Sequence, residues 1–331
     1  MKSQNCNCIT DHDFLYIGDG IDNSVKRFTL TGEFLGSFVA SGSGGLIGPR
    51  GLIFNTGGNL LVSNQKVDTP ENGNVLKYNG LTGNFLGELV DSNEQGAPFA
   101  PLGIILYKNV LFVADLLAPD NESNGEVRAY DSTTGEFIRN LDYSGFCGEF
   151  HPRSLVIGPD GLLYVSVRNI PSGNGGSVLR FDPETMEFID VFVQGNKINN
   201  LNRPEGLVFG PDCNLYITSF RGVLKDGTPD LSDTDKILIF DGCTGAFLDK
   251  IDLYVAGQPR AFAQALLFGP NRKLFVPITG EAPSVAGSVR CYNIYNKKFK
   301  VIVPPNGPLG QPWYLTFGNT DPTTLDYRYV Q

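Results

Sequence analysis

Three short motifs recur in the same order along this chain of 331 residues. The first is a run of apolar and aromatic residues, and its copies begin at Leu15, Leu60, Leu111, Leu163, Leu215 and Leu274. A second motif follows each copy, beginning at Val25, Val75, Val127, Val178, Ile237 and Val289, and a third is centred on Phe34, Phe85, Phe137, Phe188, Phe247 and Phe299. Successive copies of the first motif are 45 to 59 residues apart, a spacing typical of a repeated supersecondary unit. The sequence therefore predicts six equivalent β-units.

A fourth strand is predicted from an apolar run introduced by proline, and small residues open five copies of it: Gly51, Gly103, Ser154, Gly206 and Ala265. The sixth copy, Tyr314 to Phe317, comes near the C-terminus, and no copy precedes Leu15. We therefore predict that the C-terminal strand completes the first blade. The predicted fold is all-β: a six-bladed β-propeller with four antiparallel strands per blade, closed so that few strand edges remain free. Residues 1–12 are expected to be an N-terminal extension and 13–331 a single propeller domain.

The charge of the chain excludes several classes of partner. Its 35 acidic and 26 basic side chains give a net charge of −9, which opposes binding to nucleic acid. There is no apolar run long enough for a transmembrane helix and no polybasic patch, so membrane insertion is not expected. The first residues do not form a signal peptide as they stand. A secreted or extracytoplasmic mature form is slightly favoured over a cytoplasmic protein, and the oligomeric state stays open.

The six cysteines do not follow a metal-binding pattern. No CxxC occurs, and no histidine lies at zinc-ligand spacing from any cysteine. Cys213 and Cys243 fall in two turns of the same predicted blade on the same face. We predict that they are close neighbours, with a disulfide bond between them depending on the redox compartment.

The consensus P-x-G-L-x-F-G-P-D-G-x-L-Y-V, followed by V-L-R-F-D and T-G-x-F, resembles the NHL-type and streptogramin-lyase-like propellers. The resemblance covers essentially the whole chain after residue 12. It implies the six-bladed fold, but its members include binding modules, lyases, lactonases and cyclases, some of them in natural-product biosynthesis. The function must therefore be argued from the site.

The loops between the second and third strands are long, at 63–74, 114–126, 166–177, 218–236 and 277–288, and they lie on one predicted face. Long loops on one face of a rigid scaffold indicate the functional face. Two rings of residues are predicted at this mouth of the channel. The residues before the innermost strands form the first ring, Arg50, Leu102, Arg153, Glu205, Gln264 and Trp313, and those ending the second strands form the other, Asp19, Asn64, Asp115, Arg168, Ser219 and Thr279.

The first functional hypothesis is a metal-independent enzyme of the lyase, cyclase or cycloaddition type, acting on a small organic molecule in this mouth. Arg50 and Arg153 would hold a carboxylate, a carbonyl or a developing oxyanion, and His151 or Glu205 would move a proton. The predicted substrate-binding residues are Trp313, Gln264, Leu102, Asn64, Asp115 and Phe220. A purely structural ion-pair network of the arginines with Glu205 is the competing interpretation.

Two alternatives stay open. The lactonase-like relatives implied by the resemblance hold calcium with oxygen ligands, and Asp19, Asn64, Asp115 and Glu205 could supply four such ligands. Streptogramin lyases use histidines with a metal, and this chain, which has only His12 and His151, departs from that pattern. The other alternative is a non-catalytic NHL-type protein-interaction module, which needs an exposed apolar patch.

Overall fold

The described part of the chain comprises residues 13–66, 69, 71–116, 124–169, 174–257, 259–280 and 287–329 of a computed structural model. These residues form six four-stranded antiparallel sheets, so the predicted six-bladed propeller is confirmed. The predicted N-terminal extension, with His12, Cys6 and Cys8, lies outside the described residues. In the part of the chain that the structure describes, no helix has the length and apolar character that a membrane span requires.

The strands run outward from the channel axis in each blade. Blade 1 contains β1 (Phe14–Asp19), β2 (Ser24–Thr29), β3 (Phe34–Val39) and, innermost, the last strand β24 (Pro312–Phe317). Blade 2 contains β4 (Pro49–Phe54), β5 (Asn59–Asn64), β6 (Asn74–Asn79) and β7 (Phe85–Val90). Blade 3 contains β8 (Pro101–Tyr107), β9 (Val110–Asp115), β10 (Glu126–Asp131) and β11 (Phe137–Asn140).

The other three blades repeat this order. Blade 4 contains β12 (His151–Ile157), β13 (Leu163–Arg168), β14 (Gly176–Phe181) and β15 (Phe188–Gln194). Blade 5 contains β16 (Pro204–Phe209), β17 (Leu215–Ser219), β18 (Lys236–Phe240) and β19 (Phe247–Asp252). Blade 6 contains β20 (Leu267–Gly269), β21 (Lys273–Ile278), β22 (Ser288–Tyr292) and β23 (Phe299–Val303).

Ring closure occurs where the sequence predicts it. Strand β24 pairs with β1 from Leu15 opposite Phe317 to Gly18 opposite Tyr314. The blades then pack face to face through repeated aromatic pairs: the rings of Tyr16 and Phe54 are 4.9 Å apart and edge to face. Equivalent contacts join the later blades, at Tyr164–Phe209, Tyr216–Phe268 and Phe275–Phe317. These contacts explain why aromatic residues recur at fixed positions of the repeat.

The innermost strand of blade 6 is shorter than the sequence predicts. The apolar run begins at Ala265, but β20 begins at Leu267 and contains three residues. If the pairing of Leu267 with Phe275 continued by two residues, Ala265 would face Pro277, which has no N–H to donate. Proline thus accounts for the shortened ladder.

The C-terminal segment closes the channel on the face opposite the long loops. After β24 the chain turns under the ring, and the N–H groups of Leu106 and Ile157 donate to the carbonyls of Pro322 and Thr323. The side chain of Leu325 then packs against four separate core clusters and lines the axial cavity. Leu325 has a φ of 59°, an unusual conformation for leucine that the surrounding contacts maintain. The sequence analysis missed this plug.

Cys213 and Cys243 are free, exposed thiols, so no disulfide joins them in this structure. Their turns are nevertheless adjacent, because a Cβ at Gly242 would lie 1.9 Å from the carbonyl oxygen of Cys213. The predicted proximity of the two turns is therefore confirmed.

Candidate functional site

A β-bulge in the innermost strand positions most of the mouth residues. In β4, Pro49 pairs with Asn64 and Leu52 with Val62, so Arg50 and Gly51 together face the single residue Ser63. The same shift occurs in β8, β12 and β16. A bulge leaves one residue outside the regular pairing and redirects its side chain. The varied residues of the first ring therefore lie where the ladder is interrupted.

Small residues beside the bulge allow neighbouring blades to approach the axis. A Cβ on Gly51 would lie 2.7 Å from the carbonyl oxygen of Leu102, and one on Gly206 would lie 2.8 Å from Cα of Ala265. Side-chain hydroxyl groups form hydrogen bonds with the backbone at the bulge. For example, the N–H of Gly206 donates to Oγ1 of Thr218 at 2.9 Å. The close approach of the backbones holds the arginines of different blades around one axis.

Arg50 is a buried cation that has neutral partners. Its Nε donates to Oε1 of Gln65 and its Nη1 to Oε1 of Gln264, each at 2.6 Å. Its guanidinium carbon lies 3.6 Å from the centroid of the Trp313 ring. Burial, only partly offset by Tyr314 and Glu205, lowers the pKa of Arg50 to about 10. The group stays charged at neutral pH, but no carboxylate of the described residues forms an ion pair with it.

Arg153 and Arg168 share the carboxylate of Glu205. Nε of Arg153 is 3.6 Å from Oε1 of Glu205, and Nη2 of Arg168 contacts the same oxygen. Neither contact is a well-aligned hydrogen bond, because Glu205 Oε1 and both Nε atoms have no hydrogen-bond partner among the described residues. Burial and then repulsion from Arg168 lower the pKa of Arg153 to about 9. Two guanidinium groups with one carboxylate favour an additional anion here.

A second group of arginines surrounds Phe220. The guanidinium carbons of Arg168, Arg203 and Arg260 lie 4.9, 5.7 and 5.0 Å from the centroid of this ring. Arg260 forms an ion pair with Asp235 at 2.7 Å. Burial, followed by repulsion from Arg168 and Arg260, lowers the pKa of Arg203 to about 10. Phe220 itself is 4% exposed, so its ring supports the arginines rather than facing the solvent.

Two aromatic residues of the closing strand complete the mouth. The indole of Trp313 fills the space beside Gly20, where a Cβ would lie 2.3 Å from the ring, and the guanidinium group of Arg50 lies over the same ring. Tyr314 occupies the position at which the other five blades have glycine, serine or alanine. Burial, and then the charge of Glu205, raises the pKa of its hydroxyl, which therefore remains protonated. Trp313 was predicted as a site residue, whereas Tyr314 was missed.

His151 lies beside the arginines but is 1% exposed. It pairs with Arg168 across β12 and β13, and its Nε2 is 3.7 Å from Oε2 of Glu149. Burial, followed by the charges of Arg153 and Arg168, lowers the pKa of His151 from 6.5. The imidazole is therefore neutral at pH 7 and offers a proton acceptor.

The lowered pKa of His151 predicts an acid-sensitive contribution to stability. The unfolded chain binds a proton at this histidine as the pH falls through 6.5, whereas the folded chain resists protonation until a lower pH. The free energy of unfolding should therefore decrease over this interval, and His151→Gln should remove part of that decrease. Denaturant titrations between pH 7.5 and about 5 test this, with His12→Gln as control. Equal pH slopes for His151→Gln and the unmodified protein would contradict the prediction.

Three residues of the second ring hold the loops rather than facing a ligand. Asp19 accepts from Lys26 and from the N–H groups of Gly310 and Gln311. Asp115 accepts from Arg128 and from the N–H groups that precede β8, at residues 99 and 100. Asn64 accepts from Ile47 N–H and donates to Gly45 and Asn74. Their side chains are fully buried, so they support the links into the innermost strands.

The predicted calcium ligands are therefore not gathered around a metal. Among the described residues, no three side chains of histidine, cysteine, aspartate or glutamate form a group that could hold a metal ion. The carboxylates of Asp19 and Asp115 are occupied by cations and N–H groups, and Glu205 contacts two arginines. This donor set does not fit calcium.

The remaining predicted residues have mixed outcomes. Gln264 lies at the mouth as a partner of Arg50, but Leu102 packs in the apolar core between blades 3 and 4.

Below Tyr314, the axial cavity measures about 30 Å³, enough for only one or two waters. The axial cavity is therefore too small for an organic ligand.

Comparisons with known proteins support the fold and do not assign the chain to a protein family. No protein family matches the sequence, and no curated protein does. Among solved structures, the chain is similar to a periplasmic gluconolactonase of Pseudomonas aeruginosa, with 17% identity, a TM-score of 0.55 and coverage of 92% of this chain and 98% of the other. A gluconolactonase of Xanthomonas campestris has 16% identity and a TM-score of 0.54, with coverage of 78% and 76%.

A luciferin-regenerating enzyme has 13% identity and a TM-score of 0.56, with coverage of 96% of this chain and 92% of the other. Similarity at this level of identity shows the fold alone. The NHL-repeat assignment is not confirmed, and the lyase and cyclase readings gain no support from these neighbours. The similarity supports the six-bladed propeller fold that the strand order also shows.

Proposed function

We propose that this protein is a small-molecule enzyme that binds an organic anion in the mouth of its channel. The observation that carries the proposal is a shortage of counter-charge at three buried arginines. Arg153 and Arg168 share the carboxylate of Glu205, and Arg50 has only neutral hydrogen-bond partners. Burying a guanidinium group without enough counter-charge costs roughly several kcal/mol per ion. A bound anion would offset this cost. The same groups would stabilise an oxyanion that develops during reaction.

The neighbouring side chains supply proton donors and acceptors without a metal. Tyr314 retains its hydroxyl proton, and the neutral imidazole of His151 can accept one. A reaction that passes through an enolate or a tetrahedral oxyanion fits this set, with proton transfer at one of these two residues. Positioning in the mouth would add to the rate.

Ring opening of a lactone is a second candidate within the same class. Two of the similar solved structures are gluconolactonases, and lactone hydrolysis also develops an oxyanion. Elimination or cyclisation, the reaction types favoured by the sequence analysis, would use the arginines in the same way. Incubation with lactones and with unsaturated or β-substituted carboxylates, followed by mass spectrometry, distinguishes hydrolysis from elimination.

Arg153→Ala tests whether the mouth binds a ligand or serves only the fold. Glu205 keeps its contact with Arg168 in this variant, so its charge remains compensated. We expect the midpoint of thermal unfolding to change by only a few degrees, about the effect of 1 kcal/mol, whereas turnover or anion binding is lost. Loss of folding would instead support a structural ion-pair network, and unchanged activity would place the site elsewhere.

Removal of divalent metals is expected to leave both stability and activity unchanged, because the acidic side chains of the second ring are already engaged. The measurement compares thermal unfolding and turnover after dialysis against EDTA with the same protein in about 1 mM calcium, a concentration that fills even weak calcium sites. Activity that is lost on chelation and restored by calcium would contradict the hypothesis of a metal-independent enzyme.

An extracytoplasmic location is part of this proposal. The P. aeruginosa relative is described as periplasmic, which agrees with the slight preference drawn from the sequence. Fractionation of the source cells, with the chain detected by antibody, tests the location directly.

A further inference from the structure

We propose that the ligand of the mouth carries two anionic groups, one bound by Arg50 and the other by the arginines around Glu205 and Phe220. This inference rests on the proposed function, because it specifies the chemical class of the organic anion. The two groups of cations are called here the Arg50 pole and the Glu205 pole, the second consisting of Arg153, Arg168, Arg203 and Glu205.

The Arg50 pole is a preorganised site for one anion. Two glutamine oxygens and the Trp313 ring fix the guanidinium group in a single orientation. Two of its nitrogens donate to those glutamines, and within the described residues the remaining nitrogen, Nη2, has no hydrogen-bond partner. Glutamine oxygens satisfy N–H groups but do not neutralise the charge. An anionic group of the ligand would supply both a hydrogen-bond acceptor and the missing charge.

The Glu205 pole has the same deficit on the other side of the axis. Nε of Arg153 and Nε of Arg168 are buried and unpartnered among the described residues, and their side chains are 10% and 11% exposed. Arg203 adds a further cation beside Phe220, at 5.7 Å from the ring centroid. Glu205 provides one negative charge for these three guanidinium groups. A second anion is therefore favoured at this pole.

The charge of the whole mouth agrees with a dianion. Five guanidinium groups, of Arg50, Arg153, Arg168, Arg203 and Arg260, lie here with two carboxylates, Glu205 and Asp235, which leaves three unbalanced positive charges. The net positive charge of this group contrasts with the net charge of −9 of the whole chain. A monoanion would leave two charges uncompensated, whereas a dianion leaves one.

The positions of the two poles limit the length of the ligand. Arg50 extends from blade 2 to Gln264 in the link before β20 and to Trp313 of blade 1, whereas Arg153 and Glu205 belong to blades 4 and 5. The poles nevertheless interact, because Glu205 and Arg168 both shift the pKa of Arg50. They are thus separate but close, which suits a short organic dianion lying across the axis.

Isothermal titration calorimetry with the full chain tests this inference. The probes are α,ω-dicarboxylates from malonate to suberate and monocarboxylates of the same chain lengths, at one ionic strength. We expect the best dicarboxylate to bind at least about tenfold more tightly than its monocarboxylate, the effect of one further charge-assisted hydrogen bond. Affinity should also pass through a maximum with chain length.

Arg50→Gln should reduce the affinity for the best dicarboxylate to that for the matched monocarboxylate. The affinity for the monocarboxylate should stay nearly unchanged. Arg139→Gln is the matched control, since it removes one positive charge from an exposed side chain of β11. Equal affinities of matched mono- and dicarboxylates for the unmodified protein would overturn the two-anion inference and leave the proposed function intact. Failure of every carboxylate to bind would contradict both.

Discussion

Deleting residues 312–331 should abolish cooperative unfolding of the whole protein. The deletion removes β24, so β1 loses its partner from Leu15 to Asp19 and the channel side of blade 1 is exposed. The aromatic contact of Phe317 with Phe275 is lost as well, which separates blade 1 from blade 6. In a ring, opening one interface removes contacts from both neighbouring blades. Differential scanning calorimetry of the truncated protein should therefore show no single sharp transition.

A deletion of residues 318–331 is the matched control, because it keeps β24 and removes the plug at Leu325. This shorter deletion should unfold cooperatively but at a lower temperature, since buried apolar contacts are lost. If the protein without residues 312–331 melts like the full chain, the closing strand does not maintain the ring.

Glu205→Gln should destabilise the protein by about 3–5 kcal/mol, the cost of leaving buried charges uncompensated. The substitution preserves the size of the side chain but removes the negative charge between Arg153 and Arg168. Both guanidinium groups then remain buried beside each other without a carboxylate. The free energy of unfolding from a denaturant titration measures the loss.

Glu184→Gln is the control for this substitution. Glu184 is an exposed partner of Lys108, so its loss should leave the free energy of unfolding nearly unchanged. Formate, added to Glu205→Ala, should restore part of the stability because it can occupy the space of the missing carboxylate. Stability of Glu205→Gln equal to that of the unmodified protein would show that the arginines do not depend on Glu205.

The fold could be predicted from the sequence because each blade repeats the same local pattern. Alternating and continuous apolar runs report strand burial directly, and the displaced copy at Tyr314 to Phe317 revealed the closing strand. The plug at Leu325 could not be predicted in this way. It lies outside the repeat, and its contacts join residues from several blades that have no sequence pattern in common with it.

The sequence could indicate which positions of the repeat vary, but it could not predict the contacts that their side chains make. Variation at one position of an otherwise regular repeat singled out Arg50, Arg153 and Glu205, and the structure places Arg153 against Glu205 and Arg50 against Trp313. Their partners depend on which side chains meet across the axis, and this is decided by the bulges and not by spacing. One signal for a missed residue was present, since Tyr314 is the single large residue at a position where five blades have small ones. Asp19 and Asp115 were predicted as ligand-binding residues, but they support loops. A buried carboxylate that supports a loop cannot be distinguished by sequence from one that binds a ligand.

The order of synthesis has a consequence for the mouth. Trp313 and Tyr314 belong to β24, which leaves the ribosome after the 23 other strands of the described residues. A nascent chain can already contain Arg50, Arg153 and Glu205, but until β24 docks beside β1 it lacks the indole under Arg50 and the phenol among the arginines. Anion binding would therefore begin only when translation has passed this strand and the ring has closed. A ribosome-arrested series of chain lengths would show binding appear in a single step rather than blade by blade.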